Sequence, residues 1–150
     1  MIRELMKKIE SSLKSGHVED GAPRAKNPME VLSLLYQEEL RLGQQLDAHA
    51  DQAPYPYVGE RLRQLGSEKR RNAGVIKERL LALGGRERES HMTVKSGRNH
   101  WERLQVDLED QRKLENLILD HIVFLADEAP DTSEFLREIA SAENPIKETL

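Results

Sequence analysis

Residues 65–85 read LGSEKRRNAGVIKERLLALGG. With Leu62 just before them, Leu65, Ile76 and Leu83 fall on one arc of a helix, so the segment is helical with an apolar stripe. Its middle, SEKRRN from Ser67 to Asn72, is wholly polar. Six consecutive residues sweep every face of a helix, so some of these side chains must face whatever covers the stripe. Glu68 falls at the edge of the arc and Asn72 near its centre. Gly84-Gly85 stops the helix. A long amphipathic helix whose core stripe is interrupted by charge belongs in a bundle that has some way to neutralise that charge.

On either side, punctuation divides the 150 residues into five helical segments. In residues 1–15, Ile2, Leu5, Met6, Ile9 and Leu13 stand at helical spacing. Residues 16–27, GHVEDGAPRAKN, form a polar linker with Gly16, Gly21 and Pro23. Asn27 is the predicted cap of a helix that opens on Pro28 and runs to about Gln52. Pro54 and Pro56 mark a tight connection to the helix from about Tyr57 to Leu83. Another helix is predicted from about Arg98 to Asp127; Pro130 breaks it, and Thr132 or Ser133 caps the last. No segment alternates at strand period. The expected fold is all-α: a four-helix bundle over residues 28–150 with an additional short N-terminal helix. Extended, the connection from Gly84 to Arg98 reaches about 46 Å. A 26-residue helix is about 39 Å long. Both a crossover along the bundle and a plain up-down-up-down topology are therefore open.

Composition excludes several function classes. There is no cysteine, hence no disulfide, thiolate metal site or thiol nucleophile. A net charge of −4 gives no general attraction to nucleic acid or anionic lipid. The longest apolar run, Ile122 to Ala126, is far short of the roughly 20 residues of a membrane span. The N-terminus, MIRELMKKIESS, lacks the continuous apolar core of a signal peptide, so a cytoplasmic location is expected. His17, His49, His91, His100 and His121 show no helical zinc-pair spacing. No phosphate loop, dinucleotide fingerprint or nucleophile elbow is present.

The seams of the other helices also carry acids. Leu32, Leu35, Glu39, Leu42 and Leu46 step by alternating threes and fours, and His49 continues the row, either as a ligand or as a helix-end residue. Leu136, Ile139, Glu143, Ile146 and Leu150 do the same, and so do Leu104, Asp107, Gln111, Leu114 and Ile118. Trp101 is expected to anchor the core beside Leu104. Each bundle helix thus offers one acid near the core: Glu39, Glu68, Asp107 and Glu143. Four carboxylates cannot sit together ionised and unpaired in a low-dielectric interior. A divalent metal pair, protonation or a basic partner such as Arg71 would neutralise them; otherwise some tilt out to solvent.

With that arrangement the chain resembles the ferritin-like superfamily, the group of rubrerythrins and bacterioferritins, over about residues 28–150. LGSEKRRNAGVIKERLLALGG is similar to the family's second bundle helix, which carries a Glu-x-x-His pair. FLREIASAENPIKETL resembles the last helix, with the second such pair, and YQEELRLGQQL the first, which supplies a single Glu. Asp107 or Glu109 stands where the remaining helix would supply the other. The two family histidines fall on Arg71 and Ile146, neither of which can coordinate a metal. Pro145 should end or kink the last helix beside Glu143.

The resemblance therefore implies a degenerate, rubrerythrin-like di-iron site in a non-catalytic bundle with a structural or protein-interaction role and no cofactor. The alternative is a carboxylate-rich protein that binds an iron or manganese pair through Glu39, Glu68, Asp107 and Glu143, with oxidoreductase or iron-handling activity. A structural cluster would make Glu143→Leu neutral or stabilising. The expected partners are a second copy of the chain and, through the N-terminal helix, another protein; nucleic acid is not among them.

Overall fold

The computed structural model describes residues 27–87 and 93–149. Four helices account for most of them: α1 (Pro28–Asp51), α2 (Pro56–Ala82), α3 (His100–Leu125) and α4 (Pro130–Thr149). No strand occurs among the described residues, and none of their helices is long and apolar enough to cross a membrane. The expected N-terminal helix and most of the linker lie outside the described residues.

Local signals set the ends. The Asn27 side chain accepts from the Glu30 N–H at 2.9 Å, and Pro28 follows it where a missing N–H has no consequence. Asn99 caps α3 in the same way, accepting from the Glu102 N–H at 2.9 Å. At the end of α2, Gly84 adopts φ +86°, and the Gly85 and Gly84 N–H groups reach back to the Leu80 and Leu81 carbonyls, both at 3.0 Å. These are the paired bonds of a Schellman stop, which glycine makes without steric strain.

The α2–α3 connection is a crossover. Arg103, in the first turn of α3, donates to the Gln52 carbonyl just past the end of α1, at 3.1 Å. The start of α3 therefore lies at the end of the bundle where α1 finishes, the opposite end from where α2 stops. The connection climbs α1 on the way. Glu87 accepts from Tyr36, the Thr93 carbonyl from Arg41, and the Lys95 N–H donates to Gln45. The order is up-down-down-up. α1 packs on α2 and α3, and α4 on α3 and α2.

The core has an apolar zone and a polar layer. Val31, Leu32 and Leu35 of α1, Ile76 and Leu80 of α2, Ile118, Ile122 and Leu125 of α3, and Phe135, Leu136 and Ile139 of α4 are buried together. Beyond them the buried stripe turns polar on every helix: Glu39, Lys69 and Asn72, Gln111 and Asp107, Glu143.

Three local expectations are corrected. Thr132 and Ser133 lie inside α4, which begins at Pro130; the buried Ser133 hydroxyl donates instead to the Ile122 carbonyl at 2.7 Å. α4 does not end at Pro145, the first of the two outcomes expected there, since the missing N–H removes only one helical bond near the end of the helix. Trp101 is 67% exposed. The buried stripe of α3 starts at Arg103, and two residues back on a helix is about 200° around, on the opposite face.

Close approach at the α1–α2 corner generates a prediction. A Cβ on Gly59 would lie 2.9 Å from the Ala50 carbonyl oxygen, whereas one on Gly74 would meet nothing within 4 Å. Gly59→Ala is expected to destabilise by about 1–3 kcal/mol. Gly74→Ala is expected to stabilise by roughly 0.5–1 kcal/mol. Urea unfolding measures both; the reverse order would contradict this packing.

Candidate functional site

The middle of the bundle is organised by one lysine. Lys69 of α2 is 0% exposed, and its four-carbon stem carries the ammonium between two carboxyls from other helices. Nζ donates to Glu143 Oε2 of α4 and lies 3.4 Å from Glu39 Oε2 of α1. Glu143 accepts further bonds from Asn72 Nδ2 at 3.2 Å and Gln111 Nε2 at 2.9 Å. All four helices thus contribute to one closed polar cluster. Such a pair is stable only when the attraction and the added hydrogen bonds offset desolvation of several kcal/mol per ion. Glu143, with three donors, meets that condition.

Glu39 does not, and its protonation follows. Neither of its buried oxygens receives a hydrogen bond of normal geometry. Burial, and then the adjoining Glu143 carboxyl, push its pKa well above the usual carboxylate range; the Lys69 charge opposes them without prevailing. Burial also pushes Glu143 up, but the Glu39 proton, the Lys69 charge and the Gln111 amide together hold it below the usual range. The cluster is therefore one ammonium, one carboxylate and one neutral carboxylic acid, with no net charge.

A second polar group lies between α1, α3 and the crossover. His49 Nδ1 is 2.7 Å from Asp107 Oδ2, and Nε2 is 2.8 Å from the Lys95 carbonyl oxygen. Gln45 Nε2 donates to Asp107 at 2.9 Å and to Asp110 at 3.1 Å. Asp110 also holds the Lys95 ammonium at 2.7 Å and Arg41 at 3.2 Å. Burial pushes the Asp110 pKa up, but Lys95, Gln45 and Arg41 bring it below the ordinary value. A shallow cleft of about 290 Å³ opens beside this group, lined by Glu38, Arg41, Thr93, Lys95, Asp110 and Lys113.

The structure distributes the four acids differently from a metal centre. Glu39 and Glu143 share Lys69, Asp107 is engaged by His49 and Gln45, and Glu68 is half-buried on α2. Of the two candidates on α3, Asp107 faces inward, while Glu109 is exposed and pairs with Lys113 at 3.2 Å. Arg71, the expected neutralising cation, is exposed; the cation in the cluster is Lys69, two residues earlier. The Ile146 side chain lies outside the described residues.

No group of three or more His, Asp or Glu that could hold a metal ion occurs among the described residues. An ammonium beside the paired carboxyls and a third acid already bound by imidazole do not fit a dinuclear metal site. The spacing held the missed signal: Leu62, Leu65, Lys69, Asn72, Ile76 and Leu80 step by threes and fours, as the other seams do. Glu143→Leu is corrected too, since it would strip an acceptor from Lys69, Asn72 and Gln111 at once.

No family model matches the chain, and no curated protein does.

Two outcomes follow from the cluster. Lys69→Met leaves the Glu143 charge uncompensated and is expected to cost about 3–5 kcal/mol at neutral pH. Adding Glu143→Leu should recover most of that loss in urea unfolding; a double variant no better than the single one would refute the pairing. Glu39 gives a pH signature. Because its pKa is raised in the folded state, its contribution to stability is full below the unfolded value and declines as pH rises toward the folded value. Glu39→Gln, which mimics the neutral acid, should remove that decline, as measured by denaturant unfolding across pH.

Proposed function

We propose that the chain is a ferritin-like bundle without a working metal centre, and that its role is structural or lies in protein contacts. The observation that carries this reading is the wholly buried Lys69 ammonium against Glu143 and Glu39. A fixed charge on the chain supplies the neutralisation that a bound cation would supply, and it cannot leave, exchange or change oxidation state. The cluster is also closed: Glu39, Lys69, Asn72, Gln111 and Glu143 are all buried, which leaves no approach for a substrate. The single long crossover supports the ferritin-like assignment, because bundles of that group carry one such connection.

The outer surface supports a role in contacts. Tyr55 and Tyr57 are exposed and stacked, with ring centroids 5.7 Å apart, and Trp101 is exposed near the same end of the bundle. Tyr and Trp are the residue types that most often dominate binding energy in protein interfaces. A homodimer is the simplest assembly of this kind, and light scattering reads it: twice 17.2 kDa supports it and a single-chain mass excludes it.

The metal question has a direct test. After incubation with Fe(II) or Mn(II) and desalting, elemental analysis should find no stoichiometric metal, and oxygen or peroxide should not be consumed. Retention of about two equivalents per chain, lost in a Glu39→Ala/Glu143→Ala variant, would overturn the proposal.

A further inference from the structure

The segment from Thr93 to Asn99 buries none of its side chains: six of its seven residues are exposed and Gly97 is half-buried. Polar contacts secure its first half. Arg41 donates to the Thr93 carbonyl at 3.3 Å, the Lys95 N–H donates to Gln45 at 3.0 Å, and the Lys95 ammonium pairs with Asp110 at 2.7 Å. Arg103 donates to the Gly97 carbonyl at 3.5 Å, and the contact that involves a titrating ring is the Lys95 carbonyl against His49 Nε2, at 2.8 Å. His49 itself is 1% exposed and closed on its other side by Asp107.

Hydrogen counting fixes the state of this ring. A backbone carbonyl only accepts, so Nε2 must carry a hydrogen. Asp107 accepts from Gln45 through one oxygen and faces Nδ1 with the other, so a second hydrogen must lie between Nδ1 and Oδ2. The pair therefore holds two protons, and because imidazole is a stronger base than a carboxylate they sit as imidazolium and carboxylate. Removing one leaves a lone pair facing either the carbonyl or the carboxylate, and both are repulsive. The neutral ring keeps its stronger bond, to the ionised Asp107, and turns its bare nitrogen on Lys95.

We propose that His49 is a proton-operated latch, which holds the Thr93–Gly97 segment against α1 and α3 while the ring is doubly protonated and releases it when the ring loses a proton. The charged groups around the ring are Asp107 and Arg103 on α3 and Lys95 on the segment itself; Arg41 on α1 and Asp110 on α3 join the same network. No charged side chain of α2 or α4 is among its partners among the described residues.

The direction follows from the contacts. Burial pushes the ring's pKa down, but Asp107 and the Lys95 carbonyl outweigh it, so the value lies above that of a free histidine. The latch is at full strength below the open-state value and is lost as pH rises through the closed-state value. Release bares the edge where Gln45, Asp107 and Asp110 sit, extending the cleft along α1 and α3.

Nuclear magnetic resonance of the full chain tests this. Ring nitrogen shifts report the His49 protonation state, and exchange of the Lys95 amide, corrected for its intrinsic pH dependence, reports the segment. The Lys95 protection factor should fall about tenfold for each pH unit that separates the closed-state and open-state pKa of the ring. Its midpoint should match that of the ring, with helix amides at Leu46 and Leu114 unaffected. Asp107→Asn should move both midpoints to lower pH together, and His49→Gln should abolish the step at Lys95. Lys95 protection that stays constant while the ring titrates, or a step that persists in His49→Gln, would overturn the proposal. The wild-type titration decides it even if neither variant folds.

Discussion

An ammonium with no access to water must be met by acceptors wherever the chain places it, and Lys69 makes that demand on the bundle. Its answer comes from two other helices, Glu39 on α1 and Glu143 on α4, with Asn72 and Gln111 supporting the second. Sliding α2 by one residue would carry the ammonium about 100° around the helix axis, away from both carboxyls. Leucine and isoleucine contacts tolerate such adjustments at modest loss, whereas a stranded buried charge does not. The polar layer thus specifies the register in which the apolar zone packs.

The two polar groups keep their charge balance in different ways. Around Lys69, one carboxyl too many is present for the single cation, and the excess is absorbed by a proton on Glu39, the acid with no hydrogen-bond donor of its own. Around His49 the cation is itself a titrating group, and one of its two acceptors is a carbonyl on an exposed connection. The first balance is sealed inside four helices, and breaking it means opening the core. The second lies at the margin, where a proton can leave and a short segment can move without disturbing the leucine and isoleucine packing.

The four helices of residues 28–149 and most of their ends were legible in the sequence because they rest on local chemistry. Asn27-Pro28, Asn99 and Gly84-Gly85 act within a few residues of themselves. Glu39, Asp107 and Glu143 were also legible as buried acids, since seam spacing depends only on helical phase. Lys69 was not, because a charged run invites the reading that its ends matter and its middle is solvated. Trp101 shows the converse error: size and apolarity suggested burial, but the first turn of the helix presents it on a face that no described residue covers. Crossover topology depends on contacts between residues some fifty positions apart, such as Lys95 with Gln45, which no local pattern encodes.

Why a lysine at this position argues against chemistry at the cluster is a matter of what catalysis needs. A site that works on a substrate keeps at least one acceptor, proton or coordination position open to it. Glu143 spends its capacity on three internal donors. Glu39 is the unsatisfied member, yet it is fully buried, and its proton serves the charge balance with Glu143 and Lys69. Removing that proton would place two carboxylates against one ammonium in a sealed interior, so the group that looks most available is the one the cluster can least release. The structural role proposed above rests on that constraint, and among the described residues it leaves the exposed tyrosines, Trp101 and the His49-held segment as parts able to meet something else.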